Sequence, residues 1–145
     1  MTYDPNNIFA KILRGEIPCH KIYEDDECLA FMDIMPQSDG HALLIPKAPS
    51  MGLEDAKPET LAKLMAVAQK LAPKIRDAMG ADGFRLVQFN GEAAGQTVFH
   101  LHFHIIPMYA GAAPRPHTGK MGEMDKIKAQ AEKITAGVGG AGFRS

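Results

Sequence analysis

The sequence predicts an α+β fold: a five-stranded antiparallel sheet with a short N-terminal helix and one long helix. Five apolar runs of strand length occur in two groups, three before and two after a long amphipathic segment. The runs are joined by short connections, which suit antiparallel pairing because parallel strands need longer crossovers. Strands and helices grouped in this way are typical of helices packed on one side of an antiparallel sheet.

The first half of the chain contributes a short helix and three strands. A helix is expected where apolar residues recur on one side before a glycine stop. A hairpin is expected where two apolar runs flank an acidic turn, and a third, nearly all-apolar run ends at a proline. The predicted bounds are 8–14 for the helix and 21–23, 28–32 and 41–45 for the strands.

The second half contributes the main helix, two strands and a tail. The helix begins with a Pro-Glu pair, shows leucines at helical spacing and stops at a glycine, and Pro73 should kink it. Beyond Pro107 the composition becomes rich in proline and glycine, and then polar. The predicted bounds are 58–79 for the helix, 84–89 and 98–106 for the strands, 122–136 for a polar tail helix and 137–145 for a disordered end.

Length and composition favour one globular domain, 1–145, with a core over about 7–108 and a C-terminal extension over 109–145. A formal net charge of −1 gives no support to bulk binding of nucleic acid or of a membrane surface. No signal-peptide pattern and no membrane-spanning apolar stretch is seen, so we expect a cytoplasmic protein. Cys19 and Cys28 fit no metal or redox spacing and are expected to be free thiols.

Three histidines at alternate positions are the strongest chemical feature of the sequence. If residues 98–106 form a strand, His100, His102 and His104 share one face, each about 7 Å from the next. The apolar residues between them then fill the other face and anchor the strand in the core. A chance polar face explains the pattern poorly, which leaves two chemical interpretations: a metal site and a nucleophilic histidine.

The two interpretations require different neighbours. Two histidines at i and i+2 can bind zinc, but a catalytic zinc needs a third ligand and supporting carboxylates, and only Glu92 lies nearby in the sequence. A neutral imidazole can instead attack phosphorus and form a covalent phosphoramidate. That reaction needs donors around the phosphoryl oxygens, and the glycine-bearing loop 91–95, Gln96 and Thr97 are candidates for them.

These motifs resemble the histidine triad (HIT) family, and in particular its Hint-like bacterial branch. The matching segments are HLHFHII at 100–106, GQTV at 95–98, GHALLIPK at 40–47, FMDI at 31–34, EIP at 16–18 and IFAKI at 8–12. They stand in the family's order and cover about residues 7–108. The resemblance implies a nucleotide hydrolase or transferase that acts at an α-phosphate, and a homodimer in which two five-stranded sheets join.

The resemblance also implies a role for each matching residue. His102 would be the nucleophile that becomes nucleotidylated, while His100 and His104 would hold and polarise the phosphate with His41 in the same cluster. Asp33 would accept hydrogen bonds from both ribose hydroxyls. The other matching residues are the apolar walls around the base, Ile8, Phe9, Ile12, Phe31 and Ile34, and the phosphate-side residues Asn90, Gly95, Gln96 and Thr97.

The chain departs from the family where many bacterial members bind a structural zinc. Two cysteine ligands of that site are replaced by Asn7 and Ala10, and a histidine ligand is replaced by Pro49. We therefore expect no metal and no cofactor. His20 matches nothing in the family and His117 lies in the tail, so neither is assigned a role.

One function is preferred over two alternatives. The preferred function is hydrolysis of a purine nucleoside 5′-phosphoramidate, or a related nucleotidyl substrate of the AMP or GMP type, through a His102–nucleotide intermediate. The alternatives are a dinucleoside polyphosphate hydrolase and a nucleotide-binding scaffold with vestigial activity.

Overall fold

The computed structural model describes residues 2–114 and 121–138, and their elements follow the predicted order. The helices are α1 Ile8–Leu13, α2 Pro58–Met79 and α3 Met124–Val138, and the strands are β1 Lys21–Glu24, β2 Cys28–Met32, β3 Ala42–Pro46, β4 Gly83–Val87 and β5 Phe103–Met108. The strands form one sheet in the spatial order β1–β2–β3–β5–β4, and every neighbouring pair is antiparallel. The predicted fold class is therefore confirmed.

Helix α2 has the bounds that the sequence predicts, because both of its ends are encoded locally. Pro58 stands in the first turn, where its missing N–H has no helical partner to lose. Gly80 takes a left-handed conformation with φ +65°, which closes the C-terminus at low steric cost. Pro73 lies inside the helix, which continues beyond it to Met79.

Side-chain alternation along the strands divides the core into two layers. One layer packs against α2 and α3, and the other packs against α1. The α1 layer comprises Phe9, Ile12, Leu29, Phe31, Leu43 and Ile45. The prediction that all helices lie on one side of the sheet is thus wrong for α1, whose apolar side chains cover the opposite face.

Strand β5 begins at Phe103, later than the predicted start near Val98. The Leu101 N–H donates to the carbonyl of Ser50 at 2.8 Å, and the Gln96 side-chain amide donates to the carbonyl of Val98 at 3.0 Å. These contacts bind the preceding backbone to loops instead of to a neighbouring strand.

Of the three histidines at alternate sequence positions, only one therefore lies in a strand. His104 belongs to β5 and pairs with Leu43 of β3, while His100 and His102 lie in the segment that leads into β5. His41 directly precedes β3. The apolar residues of the histidine segment still face α2 and are buried in its core layer, as predicted: Leu101, Phe103 and Ile105.

Helix α3 is amphipathic, not polar as predicted. Its buried residues recur at the spacing of one helical face and join the core beside α2 and β1: Ile127, Ala131, Ile134 and Val138. The lysines that indicated a polar helix are exposed. Residues 137 and 138, which were expected to be disordered, complete this helix. His117 and residues 139–145 lie outside the described residues.

Both cysteines are free thiols, as predicted: Cys19 is half-buried and Cys28 is buried. Burial raises the pKa of the Cys19 thiol and raises that of Cys28 to about 12, so both are poor nucleophiles near neutral pH.

Within 2–114 and 121–138, no helix has the length and apolar character needed to cross a bilayer.

Candidate active site

A cavity of about 310 Å³ opens on the α1 face of the sheet. Its lining is mostly apolar with a few polar groups, which is typical of a small-molecule site. The predicted residues on its wall are Ile8, Phe9, Ile12, Phe31, Asp33, Ile34, Thr97, His102 and His104. Lining residues to which sequence reasoning assigned no role include Cys19, Met35, Leu43 and Val98.

His102 lines this cavity in a fixed orientation. Its Nδ1 lies 2.7 Å from the carbonyl oxygen of His100, and a carbonyl can only accept, so Nδ1 carries the hydrogen. In the neutral ring the lone pair then belongs to Nε2. Phe9 meets the His102 ring edge to face, with centroids 5.0 Å apart. The contacts thus select the tautomer in which Nε2 is the basic nitrogen.

His100 lies behind His102 and does not line the cavity. Its side chain is fully buried, its Nε2–H donates to the carbonyl of Pro46 at 2.7 Å, and its Nδ1 accepts from the Tyr3 hydroxyl at 2.7 Å. Both ring nitrogens are therefore engaged by the protein. This placement does not support the predicted phosphate contact. It makes His100 the residue whose carbonyl orients His102.

His41 and His104 form a hydrogen-bonded pair. The Gln37 backbone N–H donates to His41 Nδ1 at 3.0 Å, so neutral His41 carries its hydrogen on Nε2. That Nε2 lies 2.9 Å from His104 Nδ1 and donates to it. The remaining His104 nitrogen, Nε2, is then an N–H donor in the neutral ring. His104 borders His102, with ring centroids 5.0 Å apart.

Asp33 connects the histidine pair to the cavity. Its Oδ2 lies 3.4 Å from His41 Nε2 and 3.9 Å from His104 Nδ1, and its Oδ1 accepts from the Met35 N–H at 2.8 Å. Asp33 is nearly buried and lies on the cavity wall. The carboxylate therefore faces both the imidazole pair and the space that a ligand would occupy. The predicted ribose contact remains a prediction.

In the loop between β4 and β5, the backbone N–H groups of both glycines are bonded within the loop. The Gly91 N–H donates to the side-chain oxygen of Gln96 at 2.8 Å, and the Gly95 N–H donates to the carbonyl of Glu92 at 3.0 Å. The Gly95 bond closes a single 3₁₀ turn, Glu92–Ala94, whereas the Gly91 bond is made by the Gln96 side chain. Contact of this loop with an anion stays a prediction.

Three of the four predicted phosphate-side residues lie away from the cavity. Asn90 and Gln96 line a neighbouring cleft, where the Asn90 side-chain oxygen accepts from the Leu53 N–H at 2.8 Å. Gly95 has a φ of +103°, which favours glycine at this turn. These residues shape the loop that brings Thr97 to the cavity wall. Their direct contact with a substrate stays a prediction.

The residues at the family's structural zinc position do not fit a zinc ion. Asn7 caps α1 through its side-chain oxygen, which accepts from the Ala10 N–H at 2.9 Å, and Ala10 offers no ligand atom. His100, the nearby imidazole, already uses both nitrogens.

In the described parts of the chain, one group of three potential metal ligands has its ligand atoms within 4.8 Å of one another: Asp33, His41 and His104. The hydrogen bond between His41 and His104 joins the two nitrogens that a metal would need, so we assign this group to hydrogen bonding.

We expect the purified protein to hold much less than one zinc per chain. A chelator should leave its free energy of unfolding unchanged, because no metal contributes to folding. Elemental analysis and urea unfolding with and without EDTA measure these quantities. One tightly held zinc per chain, with a loss of stability on its removal, would contradict the assignment.

Stability should fall as the pH drops below about 6.5, the ordinary pKa of histidine. Burial lowers the pKa of His100 by more than the hydrogen bond to the Pro46 carbonyl raises it. The unfolded chain then binds more protons than the folded chain, so protonation favours unfolding. The measurement is urea unfolding across this pH range.

Tyr3→Phe tests the hydrogen bond to His100. At neutral pH the variant should lose about 1–3 kcal/mol of its free energy of unfolding, because the buried acceptor His100 Nδ1 is left unsatisfied. A variant as stable as the wild type in urea unfolding would argue against this role of Tyr3.

Comparison with known proteins places the chain in a family. Residues 14–111 match the family described as HIT domain. The chain is 42% identical over 120 residues to "Adenylylsulfatase HINT3" of Arabidopsis thaliana, a match covering 79% of this chain and 61% of that protein. It is 43% identical over 106 residues to "Adenosine 5'-monophosphoramidase HNT1" of Saccharomyces cerevisiae, covering 73% and 65%.

The fold is likewise shared with solved structures. The crystal structure of a Hit-like protein from Bartonella henselae has a TM-score of 0.87 and 47% identity, over 94% of this chain and 99% of that one. The resemblance seen in the sequence motifs is thereby confirmed. A family match over 14–111 and this structural agreement together show that the chain belongs to the HIT family.

Proposed function

We propose that this chain is a nucleotide hydrolase that cleaves purine nucleoside 5′-phosphoramidates, or related nucleotidyl substrates, at the α-phosphate. Family membership and the activities for which two relatives are named support a hydrolase that acts on adenosine nucleotides. The observation that carries the proposal is the tautomer of His102. Its Nδ1–H is held by the His100 carbonyl, so Nε2 bears the lone pair on the wall of a nucleoside-sized cavity.

The chemistry divides into two displacements at phosphorus. In the first, His102 Nε2 bonds to the α-phosphorus, the phosphorus–nitrogen bond of the substrate breaks, and the amine leaves with its electron pair and takes up a proton. In the second, water attacks the same phosphorus, and the electron pair of the His102–phosphorus bond returns to Nε2. The products are the amine and a nucleoside monophosphate.

The groups around His102 suit these displacements. Once Nε2 is bonded to phosphorus, the His102 ring carries positive charge, and the carbonyl of His100 accepts its remaining N–H. The His104 Nε2–H is a donor for a phosphoryl oxygen, and His41 holds His104 in that tautomer. The apolar walls suit a purine base, and Asp33 suits the ribose hydroxyls.

A panel of substrates tests the proposal. Adenosine and guanosine phosphoramidates should be hydrolysed with the highest kcat/KM, ahead of diadenosine polyphosphates and of adenylyl sulfate, the substrate class suggested by the name of the plant relative. Preference for a dinucleoside polyphosphate would favour the first alternative. A protein that binds AMP and turns over none of these compounds would be a nucleotide-binding scaffold.

We also propose a homodimer formed through β4, which is one of the two edge strands of the sheet. Phe84 and Leu86 of this strand are exposed, and an apolar edge strand is a ready site for pairing with another chain. Light scattering after size exclusion should report twice the chain mass. Leu86→Glu should give a monomer, because it places a charge in that interface. A monomeric wild type would contradict the proposal.

A further inference from the structure

The C-terminal helix contacts the loop that carries two site residues. Residues 33–41, here called the Asp33–His41 loop, connect β2 to β3. Just before α3, the Gly122 N–H donates to the carbonyl of Ile34 at 2.7 Å. Within α3, the Gln130 side-chain oxygen accepts from the Gly40 N–H at 3.0 Å, and Lys126 pairs with Asp39 at 3.2 Å. The helix therefore contacts the loop near both of its ends.

Gly40 is the point at which this contact reaches the site, because it directly precedes His41. Gly40 has a φ of +87°, and a Cβ there would lie 2.7 Å from the side chain of Met79, so the position requires glycine. His41 itself is fully buried and holds His104 at 2.9 Å. A small rotation of the Gly40 backbone would therefore change the orientation of the His41 side chain.

We propose that Gln130 is a positioning residue for the histidine pair. Its side-chain oxygen fixes the Gly40 N–H, and through it the ring of His41 and the hydrogen bond from His41 to His104. The consequence for catalysis rests on the proposed function, whereas the consequence for the geometry of the rings does not. A phosphoryl transfer that depends on His104 as a donor is sensitive to displacements of this kind.

The helix itself does not depend on this hydrogen bond. Four buried side chains anchor α3 to the core, whereas Gln130 is only half-buried at its edge. Replacing Gln130 should thus leave the helix docked. The loop is also tied elsewhere, since the Ser38 hydroxyl donates to the carbonyl of Pro107 at 2.6 Å. The specific contribution of Gln130 is the acceptor for Gly40.

Three variants separate positioning from general stability. Gln130→Met keeps the length of the side chain and removes the acceptor. Gln130→Glu keeps an acceptor oxygen and should preserve the wild-type behaviour. Lys133→Met makes a comparable change on the exposed face of the same helix and serves as the matched control. If Gln130→Met folds poorly, Gln130→Ala removes the same hydrogen-bond acceptor and replaces Gln130 with a good helix former.

Two measurements are made on each variant. Long-range ¹H–¹⁵N spectra of the imidazoles report the tautomers of His41 and His104 without any substrate. Steady-state kinetics with adenosine phosphoramidate report kcat and KM separately. For Gln130→Met we expect displaced signals of both rings and a kcat lowered by about tenfold or more, with little change in the Kd of AMP. Gln130→Glu and Lys133→Met should match the wild type.

The outcomes distinguish this inference from the proposed function. Unchanged imidazole signals in Gln130→Met would overturn the positioning role, whether or not the protein is a hydrolase. Equal losses in Gln130→Met and Lys133→Met would also overturn it, because they would indicate a general effect of α3. If the wild type hydrolyses nothing, displaced signals in Gln130→Met alone would still support the positioning role while the proposed function fails.

Discussion

Replacement of His102 by alanine should abolish turnover and leave the affinity for AMP within about tenfold of the wild type, or about 1.4 kcal/mol. The covalent step depends on one nitrogen, His102 Nε2, whereas the apolar walls and Asp33 supply contacts elsewhere in the cavity. The measurements are steady-state kinetics with adenosine phosphoramidate and calorimetric titration with AMP.

His20→Ala is the control for this substitution, because His20 is half-buried and does not line the cavity. It should retain full activity. Substantial turnover in His102→Ala would show that the covalent mechanism is wrong. A loss of AMP binding far beyond tenfold would instead show that His102 shapes the cavity as well as the chemistry.

Replacement of Asp33 by alanine should weaken ribonucleotide binding by about 1.5–3 kcal/mol, the usual contribution of a hydrogen bond to a charged group. A carboxylate can accept from the 2′ and 3′ hydroxyls together, so most of the preference over a 2′-deoxynucleotide should disappear. We also expect kcat to fall, because Asp33 lies 3.4 Å from His41 Nε2. Titrations with AMP and dAMP and the kinetics above measure both effects.

Asp26→Ala removes an exposed carboxylate from the β1–β2 turn and is the matched control. It should change neither the sugar preference nor kcat. Equal affinity of the wild-type protein for AMP and dAMP would contradict the ribose role. Asp33 would then serve only the turn, through Met35, and the imidazole pair.

Those parts of the fold whose signals are local could be predicted from the sequence. The bounds of α2 were found because a proline and a glycine mark its two ends. The late start of β5 could not be found, because it depends on the hydrogen bond from Leu101 to Ser50, which joins two distant segments, and on a side-chain bond from Gln96 to the Val98 carbonyl. The amphipathic character of α3 was missed because its lysines outweighed the four apolar residues on its buried face.

The candidate site likewise has features that the sequence indicates and features that only the folded chain shows. The alternation of histidines indicated the cluster, and the apolar residues of the matching motifs do meet on one cavity. The hydrogen bond from Tyr3 to His100 joins residues 97 positions apart, and that from Gly40 to Gln130 joins residues 90 positions apart. Neither pair leaves a periodic pattern, so only the folded chain identifies these partners. The internal bonds of the Gly91 and Gly95 N–H groups depend on the Gln96 side chain and on a 3₁₀ turn, which the glycine spacing does not reveal.

Trapping a nucleotide bonded to His102 is the most direct test of the proposed mechanism. The enzyme would be mixed with adenosine phosphoramidate, quenched in alkali, where a phosphoramidate survives, and digested for mass spectrometry. We expect one adenylyl group on the peptide that contains His102, formed in a burst before steady turnover, and no adduct in His102→Ala. Steady hydrolysis by the wild type without any adduct, or an adduct on His100 or His104 instead, would contradict it.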